Sequence, residues 1–191
     1  MDSRTGKKIR LGRLFDQRSG KTVIVAYSHG VLMGPQAGMR TLEEMQWLLR
    51  EVSRANAVII TPGMIGYLED AFVGKERPSL LMHMDFQSHV RTLLPYEEGA
   101  AVALASVEDA VAAGADGIMT YLYLGHNDSE REKHEIERNA RVARACERWG
   151  IVLIIEAQIA RVRTRAENPN DPALLALACR VAAEVGADIV K

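Results

Sequence analysis

The feature that most constrains this chain is a ladder of short apolar runs, each closed by turn residues. They begin at Thr22 (TVIVAYSHG), Ala57 (AVIITPG), Ser79 (SLLMHMD), Gly117 (GIMTYLYLG), Ile151 (IVLIIEAQ) and Ala187 (ADIVK). Thr22 and Ala187 are separated by five intervals of about 33 residues. Runs that are apolar throughout, and not alternating, read as strands covered on both faces, as in a parallel sheet.

Helical patterns fill the gaps. Thr41 and Glu44 have capping-box spacing ahead of Leu42, Met45, Leu48, Leu49 and Val52. Ser106 opens a short helix ending at Gly114, and Ser129 with Glu132 opens a longer one. The charged EREKHEIER turn of that longer helix reads as a solvated face. Asp171 and Pro172 start a last helix that ends at Gly186. Gly114-Ala-Asp116 and Gly186-Ala-Asp188 repeat the same join of helix end, turn and strand. A looser copy lies at Ala55–Ile59. Strand, helix, strand in succession implies right-handed parallel crossovers, in an open doubly wound sheet or a (β/α)8 barrel. No G-x-G-x-x-G follows the first run, and Gly20-Lys21-Thr22 precedes a strand where a phosphate loop precedes a helix. The expectation is an α/β TIM barrel, with residues 1–21 as a lead-in and 22–191 as a partial (β/α)8 barrel.

Composition narrows the partners. The 191 residues carry a net charge of −1, which supplies no field for nucleic acid or an anionic membrane. No apolar run approaches the roughly 18 residues of a membrane span, and the polar, basic start MDSRTGKKIRLGRLF is no secretory signal. The two cysteines, Cys146 and Cys179, exclude a disulfide framework and point to a cytoplasmic protein.

Barrel chemistry belongs at the C-terminal strand ends. Those ends carry Ser28 and His29, Thr61, His83 and Asp85, Tyr121 and Tyr123, Glu156 and Gln158, and Lys191. Glu156 follows an apolar run, where a carboxylate is costly unless paired, and Gln158 shares its face. Lys191 ends the neighbouring run and supplies a partner; a lysine in a partly apolar mouth is a nucleophile for carbonyls. Each has a plainer reading: His29 as a turn cap, His83 as a satisfied core histidine, Lys191 as a frayed terminal residue. His83, Asp85, His89 and Glu156 form a conceivable metal set, but without a standard signature, so no metal and no cofactor are expected. Arg161, Arg163 and Arg165 form a basic loop that either meets a phosphate or is simply solvated.

The stretches LFDQRSGKTVIVAYSHGVLMGP with GMRTLEEM, AVALASVEDAVAAGADGIMTYLYLG, GIVLIIEA and RVAAEVGADIVK carry a resemblance running from Arg13 to Lys191. They resemble the archaeal-type class I fructose-bisphosphate aldolases and their relatives, the amino-dideoxy-heptulosonate synthases and the phospho-autoinducer-2 thiolase. The resemblance implies a Schiff-base enzyme that makes or breaks a carbon–carbon bond in a small phosphorylated carbonyl compound, in a homo-oligomer. It aligns Lys191 with the iminium-forming lysine and His29 with the histidine of the family's Asp-His-Gly turn. Ser28 stands where that turn has aspartate, Gln158 where the aldolases have an acid/base tyrosine, and QIAR where Tyr-Pro-Arg-Gly continues. Glu156 or His29 would then move the proton as the second catalytic group, with Ser28, Gln158, Tyr121 and Tyr123 binding substrate. The competing expectation is a non-catalytic barrel that binds a sugar phosphate or a partner. An eight-strand barrel needs about 250 residues. Six runs therefore make three-quarters of one, and two further units are expected from a longer chain or a second one.

Overall fold

A computed structural model describes residues 2–88, 93, 100–160 and 171–191. In chain order the elements are α1 (Ser3–Leu14), β1 (Ile24–Ala26), α2 (Gly30–Met33), α3 (Leu42–Glu51), β2 (Ala57–Ile60) and α4 (Pro62–Leu68). There follow β3 (Ser79–His83), β4 (Asp85–Gln87), β5 (Ala101–Ala103), α5 (Val107–Ala112) and β6 (Gly117–Leu124). The last are α6 (Ser129–Trp149), β7 (Val152–Ile159), α7 (Pro172–Val185) and β8 (Ile189–Val190).

All six apolar runs contribute strands to one parallel sheet, ordered β1-β2-β3-β6-β7-β8. Each new strand is laid beside the previous one, with no reversal of direction. A doubly wound sheet reverses at a switch point; a singly wound progression is the barrel's. β4 and β5 form a separate antiparallel pair, which the apolar pattern did not signal.

The sheet is covered on both faces, so its strands are apolar throughout. On the helix side, Val58, Ile60, Leu80, Met82, Ile118, Leu122, Leu153 and Ile155 pack against α3 to α7. On the other, inner face, Ile59, Leu81, Met119, Ile154 and Ile189 meet Leu11 and Leu14 from α1 and Phe15 just after it. α1 thus covers the inner face at the N-terminal end of the strands. It is fastened at the repeated Gly-Ala-Asp turns: Arg13 donates to Asp116 at 2.8 Å and Lys7 to Asp188 at 3.1 Å. Both turns use a glycine in the left-handed region, Gly114 at φ 76° and Gly186 at φ 118°.

The helix ends follow the local chemistry with small shifts. Thr41 caps α3 through Glu44 N–H, but the Glu44 carboxylate turns to Arg40 N–H and does not close a reciprocal box. The full reciprocal box is Ser106 with Asp109. Asp128, one residue before the expected Ser129, caps α6. Asp171 caps α7 with Pro172 as its first residue. Among the described residues no helix is long and apolar enough to cross a membrane.

Candidate active site

Side-chain alternation fixes which strand-end residues face inward. Glu156 and Gln158 share the inner face of β7 with Ile154, and Tyr121 and Tyr123 share that of β6 with Met119. In register, Tyr121 lies beside Glu156 and Tyr123 beside Gln158. On β8, Ile189 pairs with Ile154, and Lys191 follows two residues on, level with Glu156. Tyr121, Glu156 and Lys191 therefore form one row across three strands.

Lys191 Nζ donates to Glu156 Oε2, while Gln158 Nε2 donates to Glu156 Oε1 at 3.2 Å. One carboxylate oxygen is thus oriented by an amide and the other held for the amine. The Lys191 side chain is 43% exposed and that of Glu156 15%, so the amine stays within reach from the strand ends. Tyr121 and Tyr123 lie with ring centroids 5.7 Å apart. Burial first, then the Glu156 charge, pushes the Tyr121 phenol well above its ordinary range.

Ser28 and His83 meet on the same inner face, with Ser28 Oγ 2.8 Å from His83 Nδ1. The His83 ring stands edge-on to Tyr121 at 5.1 Å, which joins this pair to the row ending in Lys191. His29 caps α2 by position only: its ring is half-buried and makes no hydrogen bond to a described residue. The structure therefore groups Lys191, Glu156, Gln158, Tyr121, Tyr123 and, through His83, Ser28. It leaves His29 outside that set.

Sequence reasoning missed Arg138 and Glu135, which lie in the charged stretch of α6 read as solvated. Glu135 is buried against β6, and the Arg138 side chain beside it is nearly so. The edge of β6 that loses its neighbour after His83 is completed by side chains. Asp85 accepts from Tyr121 N–H at 3.0 Å, Glu135 from Tyr123 N–H at 3.4 Å and Glu132 from Gly125 N–H at 2.7 Å. Arg138 bridges Asp85, Glu135 and the Tyr121 carbonyl. The available signal was the spacing of Glu132, Glu135, Arg138 and Asn139, three and four apart on one helix face.

Among the described residues no three His, Cys, Asp or Glu side chains converge as a metal set. His89, Arg161, Arg163 and Arg165 lie outside the described residues.

Comparison with known proteins follows the same residues. An uncharacterized aldolase of Saccharolobus solfataricus is 28% identical over 187 residues, covering 97% of this chain and 67% of that protein. The 2-amino-4,5-dihydroxy-6-oxo-7-(phosphonooxy)heptanoate synthase of Streptomyces griseus is 29% identical over 185 residues, covering 97% of this chain and 63% of the synthase. The 3-hydroxy-5-phosphonooxypentane-2,4-dione thiolase of Yersinia pestis is 28% identical, covering 97% and 58% respectively. The chain thus spans about three-fifths to two-thirds of the length of these relatives. Among solved structures, an archaeal fructose 1,6-bisphosphate aldolase superposes with a TM-score of 0.76 at 26% identity, over 96% of this chain and 69% of its own. A Schiff-base-forming fructose-1,6-bisphosphate aldolase does so at 0.75 and 26%, with the same coverage. The six parallel strands are therefore six βα units of an aldolase-type (β/α)8 barrel. The family model for DeoC/LacD aldolases matches residues 22–191, and the chain belongs to the DeoC/LacD aldolase family.

Proposed function

We propose that this chain performs class I aldolase chemistry, with the Lys191 amine forming an iminium on a small phosphorylated carbonyl compound. The observation that carries this reading is the Lys191–Glu156 contact on the inner face at the strand ends. A protonated lysine cannot attack a carbonyl; a carboxylate at hydrogen-bond distance can take its proton. Glu156 then returns that proton to the carbinolamine hydroxyl, which leaves as water and yields the iminium. The iminium draws in the electron pair of the adjacent carbon–carbon bond. Gln158 keeps Glu156 in place, and Tyr121, Tyr123 and Ser28 bind substrate hydroxyls along the same face. His29 has no comparable contact and is given no proton-transfer role.

The substrate class rests on the relatives. The synthase and the thiolase are each named for a phosphonooxy compound, and the solved aldolases for fructose 1,6-bisphosphate. The synthase and thiolase share the fold region with aldolases, so condensation and cleavage are both within the reading. The protein is further proposed to be a cytoplasmic homo-oligomer, consistent with two free cysteines among the described residues. Sedimentation at micromolar concentration checks the assembly.

The test is carbon–carbon lyase and condensation activity on ketose phosphates in the presence of a chelator. Wild type is expected to turn over, Lys191→Met to be inactive, and Glu156→Gln to be slowed roughly 10²-fold. Loss of wild-type activity in chelator would point to metal chemistry. Activity absent from wild type and Lys191→Met alike would leave a binding barrel.

A further inference from the structure

The inner face holds buried ionisable groups that the Lys191–Glu156 chemistry does not use. His83 is completely buried, with Nδ1 on Ser28 Oγ at 2.8 Å and Nε2 3.4 Å from Asp85 Oδ1. Nε2 has no hydrogen-bonding partner among the described residues, and the Asp85 carboxylate stands beside it. Asp85, equally buried, is fixed by Arg138 and by Tyr121 N–H. A proton on Nε2, facing the Asp85 carboxylate, leaves Nδ1 as an acceptor for the Ser28 hydroxyl. The order is Ser28, His83, Asp85, and Ser28 alone of the three opens onto a cavity.

That cavity has a volume of about 570 Å³ and lies over the ends of β1 and β2. The size suits a small organic ligand. Its walls include Val31, Met39, Met45, Met64 and Leu104, and among the described residues no charged side chain lines it. Tyr27 spends its hydroxyl on the Gly38 carbonyl, which leaves Ser28 and Thr61 as the hydroxyls facing a ligand. A phosphate or carboxylate entering here would be desolvated with no cation among the described residues to meet it. An uncharged group on a short carbon chain meets apolar walls and a hydroxyl.

We propose that this cavity receives the uncharged, aldehyde-derived end of the substrate, and that Ser28 exchanges the proton of its hydroxyl through His83. The inference rests on the Schiff-base reading and adds a substrate class to it: one end phosphorylated, the other not. In cleavage, Ser28 Oγ takes the substrate hydroxyl proton as its own proton passes to His83 Nδ1. The freed O–H electron pair becomes the carbonyl double bond of the departing aldehyde. The carbon–carbon pair flows into the Lys191 iminium and leaves an enamine. Condensation runs the same transfers backwards, so protons and electrons balance without a further reactant. Asp85 steadies the charge that His83 carries meanwhile. Ser28 is the catalytic residue of this step, and His83 and Asp85 are positioning residues that act through it. The two halves share one face, because His83 packs on Tyr121 and Tyr121 lies in register with Glu156.

The experiment loads the protein with dihydroxyacetone phosphate, adds propanal or glyceraldehyde 3-phosphate, quenches with borohydride and reads the adducts by intact mass. In wild type, propanal is expected to extend the ketone adduct roughly tenfold faster than glyceraldehyde 3-phosphate does. Ser28→Ala and His83→Gln should still show the ketone adduct but extend it roughly 10²-fold more slowly. Met64→Trp, which fills the cavity from its wall, should slow propanal extension without touching the relay. Equal extension by the two aldehydes, or wild-type extension in Ser28→Ala and His83→Gln, would overturn the inference. So would a ketone adduct that neither aldehyde extends. Failure of the ketone adduct itself would overturn the Schiff-base reading, and the inference would fall with it.

Discussion

Glu156 shows what a single side chain contributes to this surface. Its carboxylate ends an apolar strand, and each oxygen has its own donor, Gln158 on one side and Lys191 on the other. Replacing Gln158 with Leu removes the orienting donor and leaves the charge in place. Turnover is therefore expected to fall roughly tenfold or more, with a smaller change in KM. Steady-state kinetics checks the split. Tyr121 offers a second residue-level test. Burial raises its phenol far above the ordinary value of 10.0. A raised phenol pKa stabilises the folded state below the ordinary value and loses that contribution as pH climbs beyond it. Tyr121 should thus stay protonated while the protein remains folded. Tyr121→Phe is expected to leave the native phenolate absorbance at pH 10.5 unchanged and to lower it only after unfolding. The strand-end pattern made Glu156, Gln158 and Lys191 readable in the sequence, because polar groups after apolar runs are costly unless they have partners. The Ser28–His83 contact was not readable, since those residues are 55 positions apart.

Elements meet their hardest problem at β6, whose edge is bare from Tyr121 onward because β3 gives way to β4. Three carboxylates and one guanidinium take the place of a neighbouring strand. Most of the charged stretch of α6 is solvated as expected, but Glu135 and Arg138 are not: a Glu and an Arg on a helix look solvated unless the bare strand edge beneath them is known. Arg138 lies between Asp85 and Glu135, all nearly inaccessible. Arg138→Leu leaves both carboxylates without their cation and is expected to cost about 3–5 kcal/mol in denaturant unfolding. Asp85→Asn keeps the shape and loses the charge; it should be milder in stability yet should loosen Tyr121. Exchange of the Tyr121 amide is the measurement that reads this loosening.

Over the whole molecule, the strand order follows the chain order, and α1 covers one end of the inner face while the site occupies the other. The six runs and their spacing made the parallel sheet legible, because continuous burial leaves no alternation to confuse with another architecture. α1 was not legible: its sequence SRTGKKIRLGRL is largely polar, and its contacts lie far along the chain, with the inner face through Leu11 and Leu14 and with the turns at Asp116 and Asp188. One of those contacts leaves no room. A methyl group on Gly150, at φ 64°, would come within 2.3 Å of the Ser3 carbonyl oxygen. Gly150→Ala should displace α1 and lower stability by at least about 1 kcal/mol, measured by thermal or denaturant unfolding. The site stands at the other end of the strands, and the proposed chemistry turns on one nitrogen there, that of Lys191. Incubation with dihydroxyacetone phosphate, borohydride reduction and peptide mapping by mass spectrometry test it most directly. A stable three-carbon phosphate adduct on Lys191 is expected, absent from Lys191→Met. An adduct on another lysine, or none with any ketose phosphate, would contradict it.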